Sequence, residues 1–395
     1  MSYKLYNTIS LSHIYKLIFF IGLFAINISI IEIFELFASF DIFGIIIIIM
    51  TVLSVSVIMF NGRHIKDRNF IVIIASILLF YIYLYISSIS EFYAYGMIKA
   101  YVGVLLPLTI IMFFSPYIWN KNEVLSFLLF SIIAISIFAI GFKINYGIFD
   151  REVNFGLFGP ITYGWFMGFG ILSVMLRTKP FKYSLLLVLF FFLQMIWTGS
   201  KGPLFAFLLI VIIYYRSNII NFFIKYYLLL IPIFLLIVFV GYFAINSSMN
   251  SGILEIRQIS TVVSLVENPG RFIAEEGAGS VGSRMNLIKE AFNGFINKPL
   301  FGHGFGSFPS ITKSHHDYPH NIFMELMVET GLLGLLFFIF VLGVLIYRNP
   351  LKWFGLFGIL ILSFSGDLSY FRYVLFILLI GHLISFSDRK LIEEI

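Results

Sequence analysis

The chain has no cysteine among its 395 residues. Disulfides, thiol nucleophiles and thiolate metal sites are therefore excluded. Charge is scarce as well: 12% of residues are Asp, Glu, Lys or Arg, while 60% are hydrophobic. The mean hydropathy is +1.00. So few polar groups cannot cover a soluble surface, and lipid must act as the solvent for most of this chain. No internal repeat or low-complexity linker interrupts it, and one membrane domain over residues 1–395 is expected. The pattern H-E-x-x-H is missing, and Pro319 breaks any helix between His316 and His320, so no metal site is expected. The net charge of +6 is not a nucleic-acid signal, because the basic residues sit mostly in short connections where they set topology.

What is present is a series of apolar runs. A membrane-crossing helix needs roughly 20 mainly apolar residues. Twelve runs qualify: 14–31, 42–60, 70–89, 98–114, 124–142, 157–176, 183–198, 202–216, 224–246, 320–347, 352–366 and 370–386. No small-residue cleavage site follows the first, which reads as a retained span. With both termini inside, the short inner segments hold fifteen basic residues. The short outer ones hold five: Lys99, Lys143, Arg151, Lys201 and Arg372. That bias fits the positive-inside rule. The expected fold is an all-α polytopic membrane protein of about twelve transmembrane helices with both ends cytoplasmic.

One connection, residues 247–319, is far longer than the others and lies on the outer face in this scheme. Loops of this length are usually functional. Inside it, "SRMNLIKEAFNGFINKP" (283–299) reads as an amphipathic helix, with Ser283 as cap and Leu287, Ile288, Ala291, Phe292 and Phe295 on one face. The Gly-rich stretch "FGHGFGSFPS" (301–310) follows as a set of tight turns.

The chemistry-bearing residues gather on that outer face. His320 stands after Tyr318-Pro319 and beside Asn321, and is expected to open the next helix. An imidazole at the membrane boundary suits a base or a donor to substrate, since its unperturbed pKa is about 6.5. On a helix, Met324 and Met327 would share its side, and Glu325 and Glu329 would face neighbouring helices. Lys201 lies at a turn in "IWTGSKGPLFAF" (196–207), in a short outer loop that should avoid Lys. Arg284 begins the amphipathic helix, and Arg151 precedes the sixth run. Guanidinium groups hold phosphate oxygens with two parallel hydrogen bonds. Several cations, one imidazole and no acidic cage suit an anionic, lipid-linked substrate whose diphosphate leaves without a metal.

The stretch "SRMNLIKEAFNGFINKPLFGHGFGSF … PHNIFMELMVETGLLGLLFF" resembles the signature segment of the O-antigen polymerase and O-antigen ligase superfamily. Arg284, Pro299–Phe308, His320–Asn321, Glu329 and Gly331–Gly334 match it, and "TGSKG" resembles an earlier family turn in which Arg is commoner than Lys. "REVNFGLFGPITYG" (151–164) looks like the family's Arg-containing segment before a helix. The resemblance implies a cofactor-free, metal-independent glycosyltransferase of the bacterial inner membrane. Its donor would be an undecaprenyl-diphosphate-linked oligosaccharide, and its long loop and active site would be periplasmic. It implies catalytic roles for His320 and Arg284, diphosphate binding by Lys201, Arg284 and Arg151, and support from Asn321 and Glu329. A chain-length regulator and a flippase are the partner proteins it implies, besides the bilayer. A polymerase would transfer to another lipid-linked repeat unit, and a ligase to the lipid A core; the polymerase is the expectation. A flippase or transporter is the alternative from another class. It would place charge inside several helices, whereas here the ionisable residues concentrate on one face.

Overall fold

Short polar side chains set where several helices begin. Asp67 accepts the amides of Asn69 and Phe70, Asn120 that of Asn122, and Asn321 those of Phe323 and Met324. Each satisfies amides that the first helical turn leaves without a partner. The computed structural model describes residues 40–62, 67–88, 93–114, 120–147, 155, 159–178, 182–216, 280–312 and 316–393.

Within these residues the chain is all-helical. In order run α1 (Phe40–Gly62), α2 (Arg68–Ser87), α3 (Tyr93–Ala100), a π-helical turn (Tyr101–Leu105), α4 (Leu106–Phe114), α5 (Lys121–Tyr146) and α6 (Pro160–Met175). Then come α7 (Ser184–Trp197), α8 (Lys201–Tyr214), α9 (Ser280–Asn297), α10 (Phe308–Ile311), α11 (Ile322–Ile346), α12 (Lys352–Ser365), a 3₁₀ turn (Leu368–Tyr370) and α13 (Phe371–Glu393). Helices occupy ten of the twelve expected runs; runs 14–31 and 224–246 lie outside the described residues. Five segments among the described residues are long and apolar enough to cross a membrane: Arg68–Ser87, Tyr95–Phe113, Lys121–Tyr146, Ile322–Ile346 and Leu368–Ser385.

The chain divides into two compact units. Unit 1 is Met1–Pro203 with Leu287–Ile395. Its core packs α11 against α2, α12 and α13, and α6 against α5, α7 and α12. Outward-facing Phe60, Phe130, Ile137 and Leu186 are exposed. That is the arrangement lipid favours, with apolar side chains outside. Unit 2 is Leu204–Asn286, of which the structure describes residues 204–216 and 280–286.

The amphipathic helix is real but begins earlier than expected, at Ser280 and not after Ser283. Its Leu287 and Ala291 are buried in a cluster with Phe308 and Val328, so this face packs on the start of α11. Ile288 and Phe295 are half-buried, and Phe292 is exposed.

Two expectations about charge need correction. Lys99 and Lys143, read as residues of short outer loops, lie inside α3 and α5 and are buried. A cation goes inside where a partner waits: Lys99 meets carboxylates, and Lys143 Nζ sits 4.6 Å from the centroid of the buried Phe155 ring.

Candidate functional site

The site grows from a break in α11. Gly331 has φ 69° and ψ −169°, which interrupts the helical hydrogen bonds. The turn 299–304 takes over the freed groups. Leu332 and Leu333 amides donate to the Pro299 and Leu300 carbonyls at 2.8 and 3.3 Å, and His303 and Gly304 amides donate to Val328 and Glu329 carbonyls at 3.0 and 2.8 Å. Backbone meets backbone so closely that a Cβ on Gly331 would lie 2.3 Å from Leu300 O, and one on Gly302 would lie 2.4 Å from Glu329 C. Gly302 and Gly331 also hold positive φ, so a side chain is excluded twice.

Glu329 closes this joint. Its carboxylate, fully buried, accepts the Gly306 and Phe308 amides at 3.0 and 3.1 Å. Tyr83 donates to the Thr330 carbonyl, and His303 Nε2 donates to Gly294 O at 2.9 Å. His303 thus serves the turn. The glycines and Glu329 of the motif are one device, a Gly-rich turn locked into a broken helix. The close approach that Gly331 permits is to this turn.

Beneath the next segment lies a buried ion cluster. Lys99 Nζ donates to Glu325 Oε1 at 2.5 Å and sits 3.8 Å from Asp367 Oδ2. Glu325 Oε2 accepts the Leu368 amide at 2.9 Å, and Asp367 Oδ1 caps the 3₁₀ turn through the Ser369 and Tyr370 amides. Lys99 also lies near the faces of Tyr95 and Tyr318, at 4.7 and 5.8 Å from their centroids. One cation therefore ties α3, the start of α11 and the approach to α13 to the loop that carries Tyr318.

His320 is not the first residue of α11. Asn321 caps that helix, its side chain also donates to Ser363 O at 2.8 Å, and the helix begins at Ile322. The positions of Met324 and Met327 relative to His320 therefore do not follow helical spacing. His320 stands before the cap with φ 55°, a left-handed conformation costly for a residue with a Cβ. Such strain persists only where neighbours fix it, and it concentrates at functional sites. Here buried Pro319 precedes it, the Asn321 cap follows, and the Tyr318 ring packs edge-on at 4.5 Å. His316 is exposed, with its ring centre 5.9 Å from that of His320. Burial raises the Tyr318 phenol above the usual tyrosine value, with the Asp367 carboxylate as the next cause.

Lys201 is the exposed first residue of α8. The turn before it is pinned by Thr198, whose hydroxyl accepts the Ser200 amide at 3.1 Å. Pro203 packs on Gly164, and Gly202 approaches Ser365, where a Cβ would lie 2.8 Å from Oγ. Within unit 1, then, the Lys201 turn abuts the end of α12, and the cap of His320's helix bonds α12 at Ser363. At the end of α12 opens a cleft of about 310 Å³, counting the space open to solvent, lined by Thr162, Trp165, Tyr318, Ser365 and Tyr370 among others. Arg284 is half-buried on α9 in the part assigned to unit 2. Arg151 lies outside the described residues, as do residues 247–279 of the long loop.

Residues 185–339 match the family model described as O-antigen ligase. The match supports an O-antigen ligase/polymerase-like superfamily for this chain. It spans the Lys201 turn, Arg284, the Gly-rich turn, His320 and the kink of α11. The chain matches none of the curated proteins compared with it. The O-antigen ligase-like segment does not contain Lys99 or Asp367, which complete its ion cluster from outside. Lys99 escaped the sequence reading because one charge near the edge of an apolar run looks like a boundary residue. Its signal was the carboxylate pair Glu325 and Asp367, each placed where a span begins.

Proposed function

We propose that this protein is an O-antigen polymerase: a membrane glycosyltransferase that moves a glycan from undecaprenyl diphosphate to the terminal sugar hydroxyl of another lipid-linked repeat unit. The observation that carries the reading is His320, strained at φ 55° within the family-matched segment. In the proposed reaction the acceptor hydroxyl oxygen attacks the anomeric carbon of the donor. The hydroxyl proton passes to the His320 imidazole, and the bond from the anomeric carbon to the diphosphate oxygen breaks. Lys201, Arg284 and Arg151 hold the departing diphosphate through fixed positive charge, so that no metal is needed. Asn321 fixes the helix start next to His320, and Glu329 fixes the turn that precedes it.

The wider setting is part of the same proposal. Cytoplasmic termini and a site on the periplasmic side of the bacterial inner membrane are supported by the distribution of basic residues, and twelve spans by the helices that occupy ten of the expected runs. The ligase reading fits the same family match and differs only in the acceptor. Reconstitution of the full chain with lipid-linked repeat units, with and without lipid A core, separates them. Chain growth without core supports the polymerase. Transfer that occurs only onto core identifies a ligase, and no transfer to either overturns both.

A further inference from the structure

The cleft lined by Tyr318 and Ser365 has chemistry that the proposed mechanism has not used. The hydroxyl-bearing Thr162, Ser365, Tyr318 and Tyr370 line it, and none of its lining side chains among the described residues is charged. Trp165 also lines it; this residue is 2% exposed, and its indole Nε1 finds no hydrogen-bond partner among the described residues. A buried indole N–H calls for an acceptor oxygen. An indole N–H and tyrosine hydroxyls are polar tips carried on apolar rings, which suits the hydroxyls at the edge of a sugar ring.

We propose that this cleft is the subsite for the neutral acceptor sugar, with Trp165 Nε1–H donating to a sugar oxygen and Ser365 and Tyr370 bonding neighbouring hydroxyls. The inference rests on the glycosyltransferase reading above. The choice of acceptor over donor follows from charge. The donor's reacting sugar carries a diphosphate and needs cations at once, whereas the acceptor's reacting end carries only hydroxyls, and the lining of this cleft matches that. Tyr318, whose phenol burial keeps protonated, joins the cleft to the ring of His320 at 4.5 Å. An acceptor sugar seated there would bring a hydroxyl toward the imidazole.

The test uses the full chain in lipid nanodiscs and a panel of methyl glycosides of neutral hexoses and N-acetylhexosamines, followed by saturation-transfer NMR. The wild type should bind at least one glycoside. Trp165→Phe, which keeps a ring and removes the N–H, and Ser365→Ala should each weaken it about 3- to 10-fold. Thermal unfolding of each variant in the same nanodiscs reports its fold, and Tyr370→Phe serves as a third variant should Trp165→Phe unfold. Binding unchanged in the folded variants, or no glycoside bound by the wild type, overturns the subsite. Trp165-dependent binding by a protein that transfers no glycan would instead overturn the glycosyltransferase reading and leave the subsite standing.

Discussion

Lys99 Nζ stands 2.5 Å from Glu325 Oε1 and 3.8 Å from Asp367 Oδ2, with all three side chains buried. One cation thus serves two carboxylates. Removing it leaves two buried anions facing each other, while removing one carboxylate leaves a pair. Lys99→Met should therefore cost about 3–5 kcal/mol, and Glu325→Gln clearly less. Thermal unfolding in detergent reads the order; equal losses would show that the cluster does not act as a unit.

The joint between the Gly-rich turn and α11 depends on Glu329. Replacing it with Gln offers one amide oxygen where two backbone amides need acceptors. Glu329→Gln should destabilise by about 1–3 kcal/mol. Gly331→Ala should be worse, because φ 69° and the Leu300 carbonyl both exclude a methyl group. A folded, fully stable Gly331→Ala protein would contradict the described joint.

The strain at His320 separates chemistry from stability. Glycine accepts φ 55° without the Cβ penalty. His320→Gly should leave the unfolding midpoint unchanged or raise it slightly while abolishing glycan transfer. A variant that loses both together would mean that the imidazole is chiefly a structural contact.

Tyr318 gives a pH prediction. Burial raises its phenol pKa above 10.0, so the group stays neutral and able to donate throughout the working range. Its stabilising contribution is fully present below the unfolded value of about 10 and is lost as pH rises through the higher folded value. Tyr318→Phe should thus leave any alkaline limb of the rate profile below pH 10 in place and lessen the loss of stability seen above it. An alkaline limb that vanishes in Tyr318→Phe would refute this.

Much of the helix scaffold was legible from apolar runs alone, because lipid demands length and continuity that composition displays directly. The amphipathic face of α9 was legible too, through Leu287 and Ala291. Two features were not. His320 sits before its helix because Asn321, a better cap, takes the boundary, and a left-handed backbone leaves no mark in a sequence at a histidine. The ion cluster was hidden because Lys99, Glu325 and Asp367 come from three separate segments, and the two carboxylates at the starts of spans do not by themselves name their partner. Gly331 stood out in the sequence only as part of the matching segment, not as a break in the helix. Its partner, the turn 299–304, follows from hydrogen bonds that become available only when a helix breaks.

The most direct measurement is glycan transfer by the full chain in proteoliposomes supplied with undecaprenyl-diphosphate-linked repeat units, comparing wild type with His320→Gln and Lys201→Ala. The account predicts that His320→Gln lowers kcat about 10²- to 10⁴-fold with the donor still bound, and that Lys201→Ala raises the donor KM. Chains elongated at the wild-type rate by both variants, at equal protein levels, would contradict it.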